Sequence, residues 1–373
     1  MSKNTPEKVC FLFSYYISLT KSPKKTTHIN LTYTIMKKSI LIFISVFTLT
    51  FNAKAQDGFE NILLGSTTDA TKLLEGYFAP AMEGFIYGMN NGWYHTAKVH
   101  KVLGFDLTIG LSAAMVPSSK EIFTLTGLSS VKGGTYTGPT FAGEGDGNNV
   151  TFQKTLNGHT VEASMQMPGG VTNDLPLNAI PAPVAQLNIG LPYKIEAMIR
   201  FFPETDLGDD GGKAKMLGLG IKKEITSWFG PLDKLPLHVS LLAAYTTLDL
   251  TYTDFDTNGG DLTVTNGAAA FELKAYTVQA IASLNFPFIN VYGGFGYSSG
   301  SSKFKMSGTY QGSYTLGGFT ETETLTPPSM KFDAGGVKTT IGARISLGFF
   351  KIFADYTLQE YNTVSAGIAL SIR

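Results

Sequence analysis

Residues 105–115 read FDLTIGLSAAM, with Phe105, Leu107, Ile109, Leu111, Ala113 and Met115 on one face and Asp106, Thr108, Gly110 and Ser112 on the other. Alternation with period two over such a length marks a β-strand lying between an apolar and a polar environment. The rhythm returns in Ala185 to Leu191, in Tyr193 to Phe201, and three times near the end, at Val337 to Leu347, Ile352 to Leu358 and Val364 to Ile372. Further alternating strands are expected at 214–226, 237–252, 267–285 and 289–306. In two places, Tyr245 to Leu248 and Lys274 to Tyr276, the apolar parity slips, and a β-bulge is expected at each.

A soluble sandwich and a membrane barrel share this alternation, and the connections separate them. Counted back from Arg373, a tight turn falls at Phe349–Phe350, a short one at Pro287 and another at Pro192. Between them lie long polar, glycine-rich stretches at 307–333, 253–267 and 204–212, with the short link Glu360 to Asn362 as the exception. Alternately short and long links are the pattern of an outer-membrane barrel, with the long loops facing outward. Tyr193, Phe201, Phe202, Trp228, Phe229, Phe286, Phe288, Phe349, Phe350 and Tyr361 cluster at the expected strand ends, where a barrel places its interfacial aromatics.

Composition and export agree with that reading. The chain has 373 residues, 41 Gly, 43% hydrophobic and 16% charged residues, too apolar for disorder and too rich in glycine for a helical protein. From Met36 the sequence MKKSILIFISVFTLTFNAKAQ has the layout of a secretory signal peptide, and cleavage is expected between Ala55 and Gln56. Residues 1–35 carry no pattern and are expected to be an upstream extension without function. Of the 29 basic and 29 acidic residues, 8 and 1 fall in residues 1–55, so the remainder carries 21 against 28. A net charge of about −7 argues against nucleic acid as a partner. The single cysteine, Cys10, excludes a disulfide framework.

The domain plan is therefore an N-terminal helical hatch or arm at 56–83 followed by a barrel over 84–373. The helix is expected from a cap at Thr68 or Asp69, on the periplasmic side of the first strand. Asn91–Gly92, flanked by Phe85, Tyr87, Met89 and by Trp93, His95, Ala97, is expected to be a hairpin that contributes the first two strands. The fold class is all-β, a transmembrane antiparallel barrel of about 12 strands (range 10 to 14) with a short N-terminal helical segment. The stretch from Pro117 to Pro183, with strand-like pieces at 121–128 and 158–166, is open to either lengthening strands or adding a pair. This layout resembles the outer-membrane transporters for long-chain fatty acids and aromatic hydrocarbons, and a related group of Gram-negative outer-membrane proteins of similar length. The resemblance implies a hatch inside a barrel that admits small hydrophobic solutes. It covers about residues 56–373 and rests on layout. Ile372 and Arg373 stand where such proteins usually end in an aromatic residue. A diffusion porin and a structural or adhesive surface barrel are the alternatives. The expected partners are outer-membrane lipids and a small hydrophobic solute, and the chain is expected to be a monomer in the outer membrane.

No residue pattern points to an enzyme or a cofactor. Gly296-Tyr-Ser298-Ser-Gly300 matches G-x-S-x-G, but the serine falls inside a glycine-rich strand and no histidine is assignable as its base. Asp254, Asp256 and Asn258 copy the first half of a calcium loop, yet Thr265 stands where the closing Glu belongs. His95 and His100, five apart, would point to opposite faces of one strand, which argues against a metal pair. The lumen-facing candidates are Asp106, Lys194, Glu196, Arg200, Lys222, Glu224, Arg344, Lys351 and Asp355. Their nearly balanced charges argue for mutual salt bridges rather than ion selectivity.

Overall fold

The computed structural model describes residues 65–156, 159–172, 175–206, 212–259, 262–316 and 319–372. The upstream extension, the signal peptide, Ala55 and Gln56 lie outside the described residues. The chain starts with one helix, α1 (Thr67–Met89), and continues with strands β1 (Phe105–Met115), β2 (Ile122–Thr126), β3 (Thr135–Pro139), β4 (Asn149–Leu156) and β5 (His159–Gln166). Next come β6 (Ala179–Leu191), β7 (Ile195–Asp206), β8 (Gly212–Glu224), β9 (Leu237–Gly259) and β10 (Leu262–Asn285). The last are β11 (Ile289–Leu316), β12 (Phe319–Leu325), β13 (Ser329–Leu347), β14 (Phe350–Leu358) and β15 (Thr363–Ile372).

Ten of the strands close an antiparallel ring in the order β1-β6-β7-β8-β9-β10-β11-β13-β14-β15, and β15 returns to β1. Closure runs from Phe105 opposite Ile372 to Ala114 opposite Thr363. Closure pairs the first ring strand with the last, so neither is left as the terminal edge that a membrane-spanning sheet must avoid. The ring sits at the low end of the expected strand number because the stretch after Pro117 forms the separate hairpins β2–β3 and β4–β5, while β12 only folds back on β11.

Most of the ring strands' large apolar residues face outside. Phe105, Leu107, Ile109 and Leu111 are exposed, as are Leu217, Leu219 and Ile221, Ile341 and Ile345, and Ile368, Leu370 and Ile372. Their partners on the other face, such as Asp106, Thr108 and Ser112, are buried. A band of exposed large apolar side chains around a polar interior is the inverse of a soluble protein, and it is the surface a bilayer covers. The short links gather at one end with an exposed aromatic set: Tyr193, Trp228, Phe229, Phe286, Phe288 and Phe349. Tyr361 departs from the expected girdle. It is fully buried and stacks on Tyr87 with centroids 5.2 Å apart, because the β14–β15 link folds inward over the helix.

The long links are largely strands. β9 reaches Gly259 and β10 starts at Leu262, so the expected loop 253–267 is a hairpin extension of the wall, and most of 307–333 belongs to β11, β12 and β13. No bulge occurs at Tyr245–Leu248 or Lys274–Tyr276. The shifts fall at Phe202/Thr205 and between Val264 and Ala268. The parity slip has another cause: Leu248, Phe271 and Leu273 point inward against Ile86 and Met89 of the helix. Asp254, Asp256 and Asn258 belong to β9, and their side chains lie outside the described ones.

Candidate functional site

The lumen is filled by the chain's own N-terminal part. α1 begins with Ser66, whose hydroxyl accepts from the Asp69 N–H at 3.2 Å, the ordinary N-cap bond. Its 23 residues make about 34 Å of helix. Ala70, Leu73, Leu74 and Tyr77 pack with Val150 and Phe152 of the β4–β5 hairpin and with the extended ends of β10, β11 and β13. The helix thus starts at the end carrying the long links and descends into the ring. The expected direction, from the short-link side, is reversed. The expected hairpin at Asn91–Gly92 is absent as well: Phe85, Tyr87 and Met89 belong to the last turns of α1, and residues 90–104 run as an irregular segment through the lumen to the start of β1.

At the upper end Asp69 is fixed by the Ser130 N–H at 2.6 Å and the hydroxyls of Ser130 and Ser129 at 2.8 and 3.2 Å. Burial pushes its carboxyl up, but these donors outweigh it and hold Asp69 below its ordinary value.

At its lower end α1 has no basic residue in its last turn, and the barrel wall supplies the missing positive charge. Arg200 of β7 donates to the Met89 carbonyl at 2.9 Å, the Asn91 carbonyl at 2.7 Å and Gln186 Oε1 at 2.9 Å. Its guanidinium lies 3.9 Å from the centre of the Trp93 ring. Lys338 of β13 donates to the Asn90 carbonyl at 2.9 Å and to Asn91 Oδ1 at 2.7 Å. Two buried cations from different sectors of the wall therefore meet the negative end of the helix dipole and its orphan carbonyls.

Below this clamp the segment 90–104 docks on most of the expected lumenal charges. Lys222 and Glu196 pair at 2.6 Å, and Glu196 also accepts from the His100 N–H and ring Nδ1 at 3.0 and 2.7 Å. Glu224 accepts from the Val99 N–H at 3.1 Å and lies 3.2 Å from His238. Asp106 accepts from Asn188 at 2.6 Å, with His95 and His100 ring nitrogens 3.4 and 3.3 Å from its other oxygen. The two histidines converge because residues 90–104 bend repeatedly and form no regular strand. Arg344 donates to His95 at 3.0 Å, and Asp355 accepts from the Tyr292 hydroxyl at 3.0 Å.

Two of the nine candidates stay at the margin. Lys194 sits in the β6–β7 turn, 3.5 Å from Glu224, and Lys351 donates to the Gly348 carbonyl at the β13–β14 turn. The salt-bridge expectation fits Lys222 and Lys194. Arg200 serves peptide carbonyls instead, as does Lys338, which shares its parity with Thr340 and Arg344 and was legible from that pattern alone. Among the described residues no group of three His, Cys, Asp or Glu is arranged to hold a metal. Ser298 lies in the middle of β11, buried, and not at a strand-to-helix elbow.

One sector of the wall is incomplete. The β6–β7 ladder runs only from Leu191/Ile195 to Gln186/Arg200, leaving 179–185 of β6 and 201–206 of β7 unpaired with each other. On its other side β6 pairs continuously with β1 through Pro181 and Pro183. The N–H groups these prolines lack therefore belong to the side facing β7, where β6 behaves as an edge strand. Behind this seam the lumen is apolar: Ala182, Met216, Ile86 and Met89 form one cluster, with Phe202 against it. The helix comes close there through glycine. A Cβ at Gly84 would lie 2.8 Å from Ile180, and one at Gly88 2.8 Å from Ala182.

Several solved structures are similar to the chain. The attachment invasion locus protein Ail of Yersinia pestis aligns over 73% of this chain and 100% of its own, with 9% identity and a TM-score of 0.23. The translocator domain of autotransporter NalP from Neisseria meningitidis aligns over 74% and 90%, with 11% identity and a TM-score of 0.28. The toluene transporter TbuX of Ralstonia pickettii aligns over 73% and 90%, with 10% identity and a TM-score of 0.16. No curated protein matches. A family model matches nearly the whole chain, and on residues 36–372 the protein belongs to the Family of unknown function (DUF6588).

Proposed function

We propose that the protein is a monomeric outer-membrane barrel of a Gram-negative cell that admits small hydrophobic solutes from the lipid phase. The observation that carries this reading is the β6–β7 seam, which interrupts the wall and backs onto a methionine-containing apolar cluster. Methionine side chains repack readily around varied apolar shapes. A diffusion porin is disfavoured, since α1 and residues 90–104 occupy the lumen and bind its charges. No enzymatic role is proposed.

Purified protein in planar bilayers, paired with uptake of a small aromatic hydrocarbon into proteoliposomes, tests the proposal. Uptake without steady large ion currents is expected. Large sustained currents would establish a pore instead. Neither current nor uptake would favour a surface or adhesive barrel, the reading supported by the folded β2–β3 and β4–β5 hairpins that cap the long-link end.

A further inference from the structure

At the rim of the long-link end, four side chains from two elements build a receptacle. Glu83 of α1 accepts from the Tyr361 hydroxyl at 2.8 Å, and Glu360 of the β14–β15 link accepts from the Tyr87 hydroxyl at 2.9 Å. Each carboxylate is thus fixed by a tyrosine of the other element, and the two rings stack with centroids 5.2 Å apart. Both carboxylates converge on a single cation, the Lys120 ammonium, 2.6 Å from Glu83 and 3.0 Å from Glu360. The Tyr361 ring centre lies 5.7 Å from the same nitrogen, on the outer limit of a cation–π contact.

Lys120 is not part of the receptacle's frame. It comes from a separate short turn after β1, held by its own bonds: its N–H donates to the Pro117 carbonyl, and its carbonyl accepts from the Thr140 hydroxyl, both at 2.8 Å. With Lys120 removed, the tyrosine bonds still aim two negative charges at one point, and a cation between two carboxylates so placed relieves their mutual repulsion. Lys120 and Glu360 remain 33% and 48% exposed, so the position is reachable from solvent. Burial pulls the Lys120 ammonium down, yet its two carboxylates outweigh that and raise it. Burial likewise pushes Glu360 up, and Lys120 and Tyr87 bring it below its ordinary value.

We infer that this cluster is a binding site for a primary alkylammonium group, occupied in the resting protein by the tethered Lys120. A lysine is an ammonium on an alkyl stem, and a free amine of the same form satisfies the same two carboxylates and two rings. Because Glu83 belongs to the lumenal helix and Glu360 to the rim, an amine that displaces Lys120 leaves the helix anchored and frees the turn at 118–120 from the mouth.

The test uses full-length barrel refolded in detergent, with n-butylammonium chloride as the probe. Lys120→Ala should bind it at least about twofold more tightly than wild type, because a tethered competitor at an effective concentration on the order of millimolar weakens a millimolar ligand by one plus the ratio of the two. The amine should also restore heat resistance that Lys120→Ala has lost, while sodium chloride at equal ionic strength does not. Adding Glu83→Gln and Glu360→Gln to Lys120→Ala should abolish both effects. Equal binding by wild type and Lys120→Ala, restoration by sodium chloride, or binding that survives both Gln substitutions would each overturn the inference. Should Lys120→Ala fail to fold, Lys120→Met, which keeps an apolar stem beside Tyr361, carries the same titration.

Discussion

Replacing Arg200 with Met asks whether the wall cations hold the helix in the lumen. The guanidinium makes three bonds, at 2.9, 2.7 and 2.9 Å, and stacks on Trp93. Hydrogen bonds to a charged group contribute about 1.5–3 kcal/mol each, so the gross loss is roughly 4–9 kcal/mol. Opposing it, methionine needs no desolvation, and burying an ion costs several kcal/mol. The carbonyls of Met89 and Asn91 stay behind without that donor, and each orphaned acceptor costs about 1–3 kcal/mol. With the lost bonds and the spared desolvation taken as offsetting, the two orphaned acceptors leave a net weakening of helix docking of about 2–6 kcal/mol, or roughly 30- to 20,000-fold in the docked-to-undocked ratio. Single-channel recording should show Arg200→Met opening far more often than wild type, and protease should cut within residues 90–104. Lys338→Met should act in the same direction. Because both cations bind Asn91, their effects should add to less than the sum. Unchanged conductance and unchanged proteolysis in Arg200→Met would refute the clamp.

Three further outcomes are expected. Ile345 faces outward and Ser346 inward on β13, so Ile345→Lys should impair folding into bilayers by about 2–4 kcal/mol, far more than Ser346→Lys; equal tolerance in urea titrations contradicts the assigned faces. A cysteine in place of Thr67, exposed at the start of α1, should react with an impermeant maleimide in intact cells, whereas one in place of Gly348, in a short link, should react only after the outer membrane is permeabilised. Asp69 and Glu360 have folded pKa values below their ordinary 3.8 and 4.5. Their stabilisation is present above those values and is lost as pH falls through the lower folded ones. These two groups therefore add to heat resistance an acid slope that sets in below about pH 4, and Asp69→Asn should remove part of it.

The wall was legible in the sequence because alternation reports two different solvents on the two faces of each strand. Asp106, Glu196, Lys222 and Arg344 could be placed inside on parity alone. What fills the lumen was not legible. Gly84, Ile86, Tyr87, Gly88 and Met89 are all buried, because a helix enclosed by a barrel has no wet face, and its last turns lose the period of 3.6. Phe85, Tyr87 and Met89 before Asn91–Gly92 then imitate a hairpin. The same enclosure made the inner face of β9 and β10 apolar and imitated bulges. The clamp escapes sequence reasoning for another reason: its acceptors are peptide carbonyls, and only the placement of α1 shows which cations they meet.

The proposed route for solute is the seam between β6 and β7. Pro183 and Pro203 fall opposite each other if the ladder from Gln186/Arg200 is continued across the gap. Replacing both with cysteine restores the missing N–H donors and allows a disulfide to close the seam, in a chain whose only other cysteine is Cys10. The decisive measurement is uptake of a small aromatic hydrocarbon by proteoliposomes carrying Pro183→Cys/Pro203→Cys, before and after oxidation confirmed by gel shift. The seam predicts that oxidation stops uptake and reduction restores it; uptake that is the same with the strands cross-linked would contradict it.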